Sequence, residues 1–150
     1  MDRAKHEKIE ILLVEDRAED LELTLRAFTK AKFTNNIFVV RDGAVALDFL
    51  FCRGDYADRD MRDMPRLVLL DLKLPKVDGL EVLRQLKSDA RTRVIPVVML
   101  TSSAEQSDVA ASLTLGANSY IVKPVSFDAF LEAIKHLGFY WLLLNRPMSL

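Results

Sequence analysis

The chain has 150 residues, half of them hydrophobic, and a formal net charge of −1 with its Lys and Arg scattered rather than gathered into a run. That size suits one domain around one core, and that charge balance gives no broad electrostatic pull toward nucleic acid or an anionic membrane. Cys52 is the only cysteine, which excludes a disulfide framework and a cysteine-rich metal site.

Residues 9–14 read as a short buried strand. Leu21, Leu25 and Phe28 then recur at helical spacing, which predicts a helix over 19–31. A second strand is expected at 37–40, followed by a helix over 43–51 with Ala44, Leu47 and Phe51 on one face. Residues 53–65 are polar, charged and aperiodic, as a long surface loop would be. Leu67-Val68-Leu69-Leu70 is apolar at every position, the pattern of a strand covered on both faces at the centre of a parallel sheet. A third helix is predicted over 79–88 and a fourth strand over 95–100. The fourth helix runs over 103–115, with Gly116 placed to end it at positive φ, and the fifth strand over 118–122. Phe127, Phe130, Leu131, Ile134 and Leu137 mark the core face of a fifth helix.

Five β–α units in alternation imply an α/β fold: a (βα)5 doubly wound, five-stranded parallel sheet with helices on both faces. We expect one domain over 1–150, with its core at about 9–137 and a C-terminal extension at 138–150. The apolar runs at 67–70 and 139–144 are far too short to cross a bilayer, and residues 1–8 are charged and unlike a secretory signal. A cytoplasmic protein is the expectation.

In sheets of this kind ligands sit at the carboxyl ends of the strands. Glu15 and Asp16 follow the first strand, Asp71 ends the third, Thr101 the fourth and Lys123 the fifth. With strand order 2-1-3-4-5 these side chains converge on one cleft. Clustered carboxylates repel one another unless a cation relieves them, and Mg²⁺ prefers such oxygen ligands. Asp71, at the end of an apolar strand, is the best-placed nucleophile toward phosphorus. Lys123 and Thr101 could neutralise or bond the remaining phosphoryl oxygens, and an ionised carboxylate needs no general base. Singly, each residue has a structural alternative: helix cap, strand-end turn or surface lysine.

Leu13-Val14-Glu15-Asp16, Asp71-Leu-Lys-Leu-Pro75 with Asp78-Gly79, Leu100-Thr101-Ser102 and Lys123-Pro124 together resemble the receiver domains of two-component response regulators, the CheY-like fold. The resemblance runs from about Ile9 to Leu137. It implies that Asp71 accepts a phosphoryl group from a histidine kinase. It also implies that Glu15, Asp16, Asp71 and the Lys73 carbonyl hold Mg²⁺, and that Thr101 and Tyr120 move together as the switch. Lys123 would pair with the phosphoryl group, and the Lys123–Pro124 bond is expected to be cis.

Only thirteen residues follow Leu137, so a stand-alone receiver signalling through an unknown downstream protein is expected. The tail carries Phe139, Tyr140 and Trp141 and ends near Pro147. It could fold back on its own core or form a homodimer or partner surface. The long loop and this tail resemble the small regulators paired with phytochrome kinases, although Arg17 stands where that group often has Asn. Arg17, Lys73 and Ser103 are expected to border the site. Neither His6 nor His136 suggests a metal site. The chief alternative is a Mg²⁺-dependent aspartyl-phosphate hydrolase acting on an external substrate. It would want a second Asp two residues after the nucleophile, where this chain has Lys73. A nucleotide-binding sheet would want a glycine-rich first loop in place of Glu15-Asp16-Arg17-Ala18. A degenerate, unphosphorylated receiver would lack some of the residues found here.

Overall fold

The computed structural model describes residues 9–31, 36–102 and 106–137. Phe139, Tyr140, Trp141, Ser103 and His6 lie outside these. Strands β1 (Ile11–Val14), β2 (Ile37–Val40), β3 (Leu67–Asp71), β4 (Val97–Thr101) and β5 (Ser119–Val122) form one parallel sheet in the order β2-β1-β3-β4-β5. Helices α1 (Ala18–Lys30), α2 (Gly43–Leu50), α3 (Gly79–Ser88), α4 (Gln106–Leu115) and α5 (Phe127–His136) connect and follow them. The doubly wound architecture expected from the alternation is what is found.

Side-chain alternation divides the core in two. Leu12, Val14, Val68, Leu70, Val97 and Met99 pack toward α2 and α3, against Ala46, Leu50, Val82, Leu83 and Leu86. Ile11, Leu13, Leu67, Leu69, Val98 and Leu100 pack toward α1 and α5, where the Phe28 and Phe130 rings lie 4.6 Å apart. β3 feeds both layers from successive residues, so its run has no polar position.

Three helix faces differ from expectation. On α1 only Phe28 of the predicted trio is fully buried; Thr24 and Ala27 complete the inner face, while Leu21 and Leu25 are half-buried. Thr24 bonds its hydroxyl to the Asp20 carbonyl at 2.9 Å, which lets a polar residue face the core. On α2, Ala46, Leu47, Phe49 and Leu50 are buried, with Ala44 and Phe51 half-buried. That helix is apolar nearly throughout, so packing rather than pattern chose its face. Ala133 joins Phe130 and Ile134 on the inner face of α5, where Leu131 is half-buried.

Helix starts follow cap chemistry. The carboxylates of Asp42 and Asp78 accept from Val45 N at 2.8 Å and Glu81 N at 3.0 Å, and Ser126 Oγ accepts from Ala129 N at 3.1 Å. Gly116 ends α4 at φ +113°, and Lys123–Pro124 is cis, both as expected.

The long connection between α2 and β3 is pinned rather than loose. A 3₁₀ turn at Gly54–Tyr56 brings the Tyr56 ring edge-on to Phe38 and Phe49, at 5.9 and 5.2 Å. The Arg59 guanidinium stacks 3.8 Å above Phe49 and donates to the carbonyls of Phe49 and Asp63. None of the described helices is long and apolar enough to cross a membrane.

Candidate functional site

The carboxyl ends of β1, β3, β4 and β5 lie side by side, and they carry the predicted residues. Glu15 extends β1 by donating its amide to Val40 O at 3.0 Å, and its side chain is wholly buried. Asp71 and Thr101 are the last residues of β3 and β4 and are buried too. Lys123 follows β5, its amide donating to Thr101 O at 2.7 Å. A cleft of about 400 Å³ opens over them, lined by Arg17, Asp20, Asp71, Lys73, Ser102, Lys123 and Pro124.

The Lys123 ammonium is the centre of the charge network. Its Nζ lies 3.0 Å from Glu15 Oε1, 3.1 Å from Asp71 Oδ1 and 2.9 Å from Asp20 Oδ2. Burial opposes the charge on Lys123, yet the hydrogen bond it donates to Asp20 and the charges of Asp71 and Glu15 outweigh it and push its pKa up. Glu15 is driven the other way for a carboxyl group. Burial first, then the hydrogen bond and charge of Asp71, raise its pKa to about 7 against the opposing pull of Lys123.

Glu15, Asp16 and Asp71 each offer an oxygen, and these oxygens lie within 4.8 Å of one another. Glu15 Oε1 is buried and, despite its ion pair, makes no hydrogen bond of good geometry. A buried oxygen short of donors inside a carboxylate trio is the donor set that a hard divalent cation takes, so these residues fit one.

The loop from Asp71 to Asp78 is held tightly. Leu72 N donates to Leu100 O and Gly79 N to Leu72 O, both at 2.9 Å, while Gly43 N reaches Pro75 O at 3.3 Å. Lys76 bends the loop at φ +69°. Lys73 points its ammonium 3.5 Å from Asp108 Oδ2 on α4, tying the loop to that helix.

Other predicted residues do not line the cleft. Thr101 Oγ1 bonds Ser102 O at 3.2 Å and is not part of the lining. Tyr120 sits on β5 beside Met99 with 43% of its surface exposed. Cys52 lies in the α2–β3 connection rather than in a helix, and burial raises its thiol pKa. His136 is exposed at the end of α5.

One residue of the network escaped sequence reasoning. Asp20, in the first turn of α1, accepts from Lys123 and lies 3.4 Å from Arg17 Nε. Its signal was no more than an acid in the first turn of α1.

Fold and cleft together define a doubly wound α/β domain with a carboxylate–ammonium site at the carboxyl ends of its strands. Residues 11–135 match the response regulator receiver domain, and the chain belongs to that family. The "Probable methanogenesis regulatory protein FilR2" of Methanothrix harundinacea (strain 6Ac) is 45% identical over 136 residues, 91% of this chain and 85% of that protein. Response regulator Rcp1 of Synechocystis sp. (strain ATCC 27184 / PCC 6803 / Kazusa) is 36% identical over 132 residues, 88% of each chain. Its Mn(2+)-bound crystal structure superposes with a TM-score of 0.73 at 35% identity, covering 93% of this chain and 98% of that one. The bacteriophytochrome response regulator RtBRR gives a TM-score of 0.84 at 55% identity over 95% of this chain and 86% of its own. The chain is thus a receiver domain homologous to phytochrome-associated response regulators.

Proposed function

We propose that Asp71 accepts a phosphoryl group from a histidine kinase, in a Mg²⁺-dependent reaction, and that the modified domain signals by a conformational switch. The observation that carries this reading is the placement of Asp71 at a buried strand end within 3.1 Å of the Lys123 ammonium and beside Glu15 and Asp16. Glu15, Asp16, Asp71 and the Lys73 carbonyl would hold Mg²⁺, which would supply positive charge to the phosphoryl oxygens. The Mn(2+) bound in the Rcp1 structure supports a divalent cation in this family. The Asp71 carboxylate attacks the phosphorus of the kinase phosphohistidine, whose P–N bond breaks and whose imidazole leaves; Lys123 pairs with one transferred oxygen, and the Thr101 hydroxyl turns from Ser102 O to donate to another.

Phosphorylation concentrates nearly two negative charges at one point, which biases a two-state element rather than building a new fold. The space that Thr101 leaves is open to Tyr120, whose exposed ring has the freedom to turn inward. A phytochrome-type kinase is the donor that similarity to RtBRR and Rcp1 favours. Phe139, Tyr140 and Trp141 form the surface for a homodimer or a downstream protein, in a cytoplasmic signalling domain over residues 1–150. Its chemistry is self-phosphorylation and autodephosphorylation, without turnover of an external substrate.

The test uses acetyl phosphate and Mg²⁺ on the wild type and Asp71→Asn, with intact mass and size-exclusion light scattering on the same samples. One added phosphoryl mass on the wild type alone is expected, with a dimer that needs the aromatic tail. Equal modification of both proteins would place the phosphoryl group elsewhere and end the reading.

A further inference from the structure

We propose that Asp20 is a positioning residue for phosphoryl transfer: it anchors the Lys123 ammonium once the other carboxylates around it are engaged by a cation. This rests on the phosphoacceptor reading of Asp71. Lys123 donates to Asp20 Oδ2 at 2.9 Å and to Glu15 Oε2 at 3.3 Å, and its Nζ also lies 3.1 Å from Asp71 Oδ1. Glu15 and Asp71 belong to the carboxylate trio that fits a divalent cation, whereas Asp20 does not. When a cation takes those two, Asp20 is the partner left to Lys123.

Position makes the anchor effective. Asp20 is fixed in the first turn of α1, lines the cleft beside Asp71, and has a side chain only 23% exposed. Its oxygen is shared with Arg17 Nε at 3.4 Å, a contact that steadies the carboxylate from the solvent side. A lysine side chain loses much rotamer freedom when it is immobilised, and an anchor that holds it before transfer removes that cost from the reaction. Asp20 does not draw Lys123 off the nucleophile, because Nζ stays within 3.1 Å of Asp71 Oδ1 while bonded to it.

Asp20→Asn keeps the size and an acceptor oxygen but removes the charge. The full chain is compared with this variant in three measurements. They are the acetyl phosphate phosphorylation rate at saturating Mg²⁺, Mg²⁺ affinity by calorimetry, and the Lys123 ammonium resonance in ¹⁵N-lysine-labelled, Mg²⁺-loaded protein, assigned with Lys123→Arg. The variant should phosphorylate about tenfold more slowly, the scale of losing one pre-held side chain. Mg²⁺ affinity should stay within about threefold, because the lost group is no cation ligand. The ammonium signal, slowly exchanging in the wild type, should be lost. A rate within about twofold of wild type, an unchanged ammonium signal, or a loss of Mg²⁺ affinity as large as the loss of rate would each overturn the assignment. Failure of the wild type itself to take a phosphoryl group on Asp71 would instead remove the parent reading.

Discussion

Gly43 is the place where one methyl group should reach the site from outside it. A Cβ built there would stand 1.7 Å from the Val77 carbonyl oxygen and 2.7 Å from its carbon, both backbone atoms. Ordinary contact begins at 3.4 Å, so Gly43→Ala needs about 1.7 Å of relief along that line. No side chain can turn away to provide it. Either α2 lifts off the core or the loop from Asp71 to Asp78 moves. Overpacking of this kind costs roughly 1–3 kcal/mol, less the ~0.5–1 kcal/mol that Ala gains over Gly in a helix. A net loss of about 1 kcal/mol lowers Tm by roughly 2–4 °C in a domain of this length. Because the same loop carries Lys73, Mg²⁺ binding should weaken as well, by about tenfold. Thermal melts in chelator and a Mg²⁺ titration by calorimetry read the two effects. A variant with wild-type Tm and wild-type affinity would show that the close approach of α2 does not hold this loop in place.

Glu15 gives a pH signature in metal-free protein. Its folded pKa of about 7 lies above the ordinary 4.5 because burial and Asp71 raise it against the opposing pull of Lys123. Between those values the folded state binds more protons than the unfolded chain, so stability falls as pH rises through the window. Glu15→Gln cannot titrate and should gain on the wild type from about pH 5 to about pH 8 in urea midpoints; a constant difference would contradict the burial argument. Arg59→Ala removes the guanidinium above Phe49 and its bonds to two carbonyls. It should cost about 1–2 kcal/mol and speed thiol-reagent labelling of Cys52, whose Sγ lies 3.5 Å from Arg59 Nη1. Labelling at the wild-type rate would mean that the connection is held by Tyr56 instead.

The strands were legible because burial on two faces leaves a continuous apolar run, and the residue where each run stops marks the cleft. Glu15, Asp71, Thr101 and Lys123 could therefore be brought together from strand order alone. Asp20 could not: an acid in the first turn of a helix is ordinary macrodipole chemistry, and its partner Lys123 is 103 residues away. Arg59 was hidden for a related reason, since its partner is an aromatic face rather than an opposite charge. On α1 the pattern named Leu21 and Leu25, but tertiary packing preferred Thr24 and Ala27, which are small enough to let the helix sit close to the sheet. The tail residues Phe139, Tyr140 and Trp141 lie outside the described residues.

The three carboxylates gathered at Lys123 carry a consequence for how the domain meets its metal. The resting cleft already has a counter-ion of its own, so folding does not wait on a divalent cation to quiet the repulsion. Binding of a divalent cation here would then be an exchange, in which one cation replaces another at shared oxygens and only the difference between the two attachments is gained. An exchange of that kind is shallow in free energy and easily reversed. It would suit the reversible phosphorylation proposed for Asp71, which asks the cleft to take up and give back charge without unfolding.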